Sequence, residues 1–175
     1  MSIAIQIRLA TQADVLCLSV LATQVFLDTY ATAGIRPAIA KEVLNSFSIS
    51  AIAGLLEQHN TFFHVAERDG HLVGFSQITF GTRQELVTDT HPAELDRLYV
   101  QEPFTRMGLG GQLLHTAETS AARHGADVMW LTPWVHNNRA LQFYARQAYT
   151  DIGSTHFFMD GEAHENRVLC KQLSR

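Results

Sequence analysis

Residues 95–114, LDRLYVQEPFTRMGLGGQLL, decide the fold of this 175-residue chain. Leu95, Leu98 and Val100 mark an apolar strand that runs through a glycine-rich turn directly into an amphipathic helix. Gly108, Gly110 and Gly111 remove side chains where the backbone turns, so successive N–H groups converge while the helix that follows adds the positive end of its dipole. Strand, glycine turn and helix in this order form an anion site suited to a pyrophosphate. A Gly-x-Gly by itself is more often only a tight turn, so its surroundings carry the reading. They exclude a P-loop, since Gly111 and Gln112 follow Gly110 where Lys and then Ser or Thr are needed. They also exclude a dinucleotide fingerprint, because the turn lies past the middle of the chain and lacks a third glycine at the required spacing.

Thr105-Arg106-Met107-Gly108-Leu109-Gly110 follows the pattern [QR]-x-x-G-x-[GA] between strand and helix, with Thr105 where Gln or Arg is usual and Arg106 beside it. Farther on, Asn137, Ala140, Phe143, Tyr144 and Tyr149 follow N-x-x-A-x-x-[FL]-Y-x-x-x-G-[FY], with Ala148 at the glycine place. Two motifs in this order and at this separation are far more specific than either alone. On them the chain resembles the GNAT superfamily of N-acetyltransferases over essentially its whole length. A finer resemblance, to the bacterial polyamine-acetylating PaiA type, rests on Phe26-Leu27-Asp28-Thr29-Tyr30, Glu94-Leu95-Asp96-Arg97-Leu98-Tyr99, Trp134-Val135-His136-Asn137-Asn138 and Phe157-Phe158-Met159.

The resemblance implies an α+β sandwich: a mixed, largely antiparallel sheet with helices on both faces, in one domain covering residues 1–175. It implies acetyl-CoA as co-substrate, its pyrophosphate on the turn formed by Thr105, Arg106, Met107, Gly108, Leu109, Gly110 and Gly111. The pantetheine arm would lie along Leu98, Tyr99 and Val100 through the main chain, with the Leu98 N–H aimed at the thioester oxygen. Asn137 reads as a helix N-cap, and in relatives that position also touches the cofactor. Tyr144 stands where the family has a proton donor to the departing thiolate, although an aromatic at helical spacing is more often packing.

The acceptor amine must lose a proton, since an alkylamine with a pKa of about 10.4 is almost wholly protonated at neutral pH. Glu94 and Asp96 are two apart on the strand, so strict alternation puts both carboxylates on one face unless a bulge intervenes. Glu94 is the first choice as base and Asp96 the second; otherwise they bind the cationic substrate or pair with Arg97. The resemblance implies a primary amine attacking directly in a ternary complex, with a small polyamine as acceptor and Asp28, Tyr30, Glu85, Asp89 and Trp134 on the substrate side. A protein or peptide N-terminus, or another small amine, is the alternative acceptor. A non-catalytic acetyl-CoA-binding regulator or an interaction module are the alternatives from other classes.

At 46% hydrophobic residues the chain is rich enough in apolar side chains to close a sizeable core without staples. A formal net charge of −4, without clusters of Lys and Arg, argues against nucleic acid as a partner. Nine histidines stand without metal-ligand spacing, so no metal is expected. Two cysteines are too few for a disulfide framework; Cys17 in an apolar helical pattern and Cys170 in a strand-like run are expected as buried thiols. The absence of a long uninterrupted apolar run or a signal-like start argues against a membrane partner and for the cytoplasm. A homodimer stays open.

Alternation of Ile3, Ile5, Ile7 and Leu9 predicts an opening strand. Thr11 to Asp14 resembles a capping box before a helix carrying Leu16, Val20 and Leu27 on its apolar faces. Pro37 predicts a helix start, and residues 50–58 a further helix. Asp69-Gly70 and Asp160-Gly161 predict tight hairpin turns, the second followed by a strand over residues 167–173. The polar stretch 82–92 is expected to border the active site.

Overall fold

The capping box forms: the Thr11 N–H donates to Asp14 Oδ2 at 2.8 Å, and a 3-10 turn over Gln12–Asp14 leads into the first helix. In the computed structural model, which describes residues 5–174, the elements run β1 (Gln6–Leu9), α1 (Val15–Tyr30), α2 (Pro37–Ser46), α3 (Ile49–Glu57), β2 (Thr61–Arg68), β3 (His71–Phe80) and β4 (Pro92–Val100). They continue with α4 (Leu109–Arg123), β5 (Val128–Leu131), α5 (Asn138–Arg146), β6 (Thr150–Met159) and β7 (Glu162–Gln172). Ile3 of the predicted opening strand lies outside the described residues.

Seven strands make one sheet in the order β1-β2-β3-β4-β5-β7-β6, and every pair is antiparallel except β4 with β5. This is the mixed, largely antiparallel sheet expected of a GNAT-like α+β fold. Asp69 and Gly70 take φ of 50° and 74°, and Asp160 and Gly161 take 50° and 81°, the left-handed pairs that close two-residue hairpins. Helices α1 to α3 bury Leu18, Ala22, Phe26 and Ile52 against Phe63, Val65 and Phe75 on one face. On the other face α4 and α5 bury Leu114, Ala117, Ala121 and Tyr144 against Ile78, Leu95, Met129 and Leu131. Each large side chain removed from water contributes about 1.5–3 kcal/mol, so these two layers hold the helices on the two faces of the sheet.

Two expectations change. Helix α1 is apolar almost all round, and the face that packs carries Val15, Leu18, Leu21, Ala22 and Phe26. Leu16 and Val20 therefore point outward, 61% and 64% exposed, and Cys17 is exposed as well, contrary to its reading as a buried thiol. Cys170 is half-buried. Residues Gln12–Tyr30 are long and apolar enough in composition to cross a bilayer, which a search for uninterrupted apolar runs passes over. Strand β7 also begins at Glu162, five residues before the predicted 167, because backbone pairing with β6 and the Arg167–Asp151 ion pair at 2.8 Å extend the hairpin through a polar stretch.

Candidate active site

Strands β4 and β5 pair only at Pro92↔Val128, Ala93↔Met129 and Glu94↔Trp130. Beyond Glu94 they part: β4 keeps its partners on β3 alone, β5 ends at Leu131, and Trp134 bridges to Asn166 of β7 instead. The Gln101 N–H donates to the Val73 carbonyl at 3.0 Å. Alternate residues of a strand donate to opposite sides, so the Leu98 and Val100 N–H groups face the opening.

Two clefts meet there. The first, about 680 Å3, is bounded by Leu98 and Val100, the glycine turn, the start of α5 and the end of α1. The second, about 320 Å3, has aromatic walls, among them Tyr30, Phe47, Tyr99, Trp134 and Phe157, and contains Glu42, Glu94, Asp96 and Arg97. Trp134 belongs to both.

On the glycine turn Arg106 and Gly108 both take left-handed φ, 62° and 79°. For Arg106 that conformation is strained and persists only because its surroundings enforce it. The first bond of α4 runs from the Gln112 N–H to the Gly108 carbonyl at 3.1 Å, so the N–H groups of Leu109, Gly110 and Gly111 have no partner inside the helix. A Cβ on Gly110 would sit 3.5 Å from the Phe143 ring, so glycine keeps the floor of the cleft low. Thr105, Arg106, Gly108, Gly110, Gly111, Asn137 and Tyr144 all line this cleft. The Met107 side chain instead projects into solvent, Leu109 is buried in the core and Tyr99 faces the second cleft. Met107 and Leu109 can face an anion through the main chain alone.

Helix α5 aims Tyr144 into the first cleft. Asn137 caps it, accepting from the Ala140 N–H at 3.1 Å, and Tyr144 packs its ring edgewise on Phe143 and Tyr149 at 5.1 and 5.5 Å. Burial holds the Tyr144 hydroxyl well above the ordinary tyrosine range, so it stays protonated at neutral pH.

Glu94 and Asp96 share a face, as alternation predicts, and the alternation breaks only after Asp96. Gln77 opposes Arg97 and Ile78 opposes Leu95, leaving Asp96 as the extra residue of a β-bulge. Leu95 and Leu98, three apart, therefore pack on the α4 side, while Glu94, Asp96, Arg97 and Tyr99 all reach the second cleft. The bulge adds Arg97 to the face that the two carboxylates already share. Burial, reinforced by the charge of Asp96 and opposed by Thr82 and Arg97, pushes Glu94 up to about 7. Asp96 is raised too, first by burial, although it accepts from Thr79 Oγ1 at 2.8 Å and the residue as a whole is exposed at the cleft. Arg97 donates to Gln77 and lies 5.0 Å over the Phe47 ring, so neutral groups hold its guanidinium.

The Tyr30 and Trp134 rings meet at 5.6 Å, tilted by 49°, where the clefts adjoin, and Asp28 lines the first one. Glu85 and Asp89 line neither: Glu85 is exposed on its loop, and Asp89 accepts from Gln172 at 2.9 Å at the far end of β7. Glu42 on α2 enters the second cleft, and Arg139 and Arg146 on α5 enter the first, although sequence reasoning singled out none of them. Among the described residues no group of three His, Cys, Asp or Glu side chains is set to hold a metal ion.

Residues 30–149 match the Acetyltransferase (GNAT) family. An uncharacterised N-acetyltransferase of Lactobacillus delbrueckii subsp. lactis is 28% identical over 149 residues, covering 85% of this chain and 86% of that protein. One from Mycobacterium tuberculosis is 31% identical over 143 residues, covering 78% and 86%. Among solved structures, the PaiA N-acetyltransferase of Thermoplasma acidophilum, in complex with coenzyme A, superposes with a TM-score of 0.75 at 22% identity, covering 97% of this chain and 99% of that one. The chain belongs to the GNAT acetyltransferase family. Its enzyme class is acetyl-CoA-dependent N-acetyltransferase.

Proposed function

We propose that the chain transfers the acetyl group of acetyl-CoA to a primary amine of a small polyamine, with the donor in the first cleft and the acceptor in the second. The observation that carries this reading is the meeting of two chemically opposite clefts at the parted strands: unpaired backbone N–H groups on one side, carboxylates among aromatic rings on the other. The donor's pyrophosphate suits the N–H groups of Leu109, Gly110 and Gly111, and its pantetheine amides suit the open edge of β4. Glu94 takes the proton from the ammonium group and frees the nitrogen lone pair. The amine nitrogen attacks the thioester carbon while the Leu98 N–H donates to the carbonyl oxygen on which negative charge gathers. The carbon–sulfur bond then breaks, the Tyr144 hydroxyl protonates the departing sulfur, and the second proton shed by the nitrogen as it becomes an amide restores the Tyr144 hydroxyl.

Three carboxylates, Glu42, Glu94 and Asp96, outnumber the guanidinium groups of Arg36 and Arg97 in this cleft and stand among the rings of Tyr30, Phe47 and Trp134, which favours an acceptor with more than one positive charge. A coupled assay of CoA release across an amine panel tests this. Spermidine and spermine should exceed amino acids, peptides and aminoglycosides, and their apparent affinity should fall as salt shortens the Debye length below about 8 Å. Ready turnover of peptides or amino acids with none of spermidine, spermine or putrescine would overturn the polyamine assignment and leave the transferase chemistry standing.

The value near 7 for Glu94 sets a pH test. A base must be deprotonated, so kcat/KM should rise with pH through about 7 and then level, and Glu94→Gln should remove that limb. Stability carries the opposite sign. The folded chain holds the Glu94 proton more tightly than the unfolded chain, whose ordinary value is 4.5, so stability should fall as pH climbs from there through about 7. Thermal melts of Glu94→Gln should therefore gain on wild type only as pH rises across that window. A profile and melting gain that do not change with pH would remove Glu94 as the base.

A further inference from the structure

Three guanidinium groups line the first cleft: Arg106 on the glycine turn, and Arg139 and Arg146 on α5. Opposite them, on the short 3-10 turn Glu102–Phe104 that joins β4 to the glycine turn, stands Glu102. Arg139 Nη1 donates to Glu102 Oε2 at 2.8 Å, tying the α5 wall of the cleft mouth to the glycine-turn wall. Thr105 is used differently from the Gln or Arg usual at its place: its hydroxyl donates to the Glu102 backbone carbonyl at 2.8 Å and stabilises the turn. The motif's missing side chain is thus not supplied locally, while an arginine from another element waits across the mouth.

We propose that Arg139 is a phosphate ligand for the donor and that Glu102 holds it in reserve, its carboxylate standing where a donor phosphate will accept the same guanidinium hydrogen bonds. This rests on the reading that the first cleft takes CoA. Carboxylate and phosphate oxygens present the same acceptor geometry to a guanidinium, and a phosphate brings more charge and more acceptors. Both partners are exposed, with side chains 55% and 64% accessible, so the resting pair is weak and easily exchanged. The Glu102 carboxylate also lies in the field of Arg106 and is held below its ordinary range, first by Arg139, so it is charged whenever the donor competes for the site. Binding then exchanges one anion for another at Arg139 and leaves Glu102 to turn outward. The pair steadies the mouth in the absence of donor and lowers donor affinity by the same interaction.

Titration calorimetry with CoA on the full chain tests the exchange through Glu102→Gln, Arg139→Gln and the double variant. Glu102→Gln should tighten CoA about two- to fivefold, as expected for release from an exposed ion pair, and Arg139→Gln should weaken it about tenfold. In the Arg139→Gln background the Glu102→Gln substitution should have no further effect, since the competitor has lost its target. Thermal melts of each variant check that the fold survives. Unchanged or weaker CoA binding by Glu102→Gln, or unchanged binding by Arg139→Gln, overturns the proposal while the donor site stands. A wild-type chain that binds no CoA removes the donor site and the exchange together.

Discussion

Tyr144→Phe should lower kcat by about a hundredfold while the fold and the affinity for acetyl-CoA stay close to wild type. The substitution deletes one oxygen and keeps the ring that packs on Phe143 and Tyr149 at 5.1 and 5.5 Å. What is lost is a hydroxyl that burial keeps protonated, placed in the first cleft, where the proposal puts the departing sulfur. Steady-state kinetics separates the outcomes. A fall in kcat without a matching change in KM removes an interaction made only in the transition state. A rate within about threefold of wild type amounts to well under ~1.4 kcal/mol of barrier and would reject Tyr144 as the acid. Melting temperatures for the pair distinguish lost chemistry from lost packing.

Gly110→Glu should weaken CoA binding by more than about a hundredfold, because it sets a carboxylate against the phosphates and like-charge juxtaposition costs several kcal/mol. The new side chain would start 3.5 Å from the Phe143 ring, on the floor of the donor cleft. The same change should not harm the helix. Glutamate has a better helix propensity than glycine and is favoured in the first turn, where the dipole is positive. A folded protein that melts as high as wild type yet binds no CoA is the expected result in calorimetry. Unchanged affinity would move the phosphates away from this turn.

The β-bulge shows how close the sequence comes to declaring the geometry of the site. Ala93 and Leu95 keep a period of two, then Leu98 and Val100 resume it one position out of phase. That slip, visible without coordinates, marks an extra residue between Leu95 and Leu98, and it is what turns Arg97 toward the second cleft beside Asp96. Glu42 left no such trace. It lies on a helix far from either motif, and only the packing of α2 across the cleft from β4 brings it to the wall that Glu94 and Asp96 also line. Glu85 and Asp89 err the other way: acidic residues in a loop next to a catalytic strand invite a substrate role, yet Asp89 bonds with Gln172 away from both clefts.

The sequence by itself determined whatever depends on a few neighbouring torsions. The left-handed glycine turn into α4, the Thr11 capping box, the Asn137 cap and the two Asp-Gly hairpins are of this kind, because φ preferences and short-range hydrogen bonds act within about one turn. Tertiary structure alone decided which side of α1 is buried, since that helix offers apolar residues in nearly every direction and only the sheet beneath it selects among them. It alone decided the parting of β4 from β5, the meeting of Glu42 with Glu94 and Asp96, and the pairing of Arg139 with Glu102. Each of these joins residues whose separation along the chain leaves no local pattern. They are brought together by strand register and core burial, whose free energy belongs to the assembled fold rather than to any single segment.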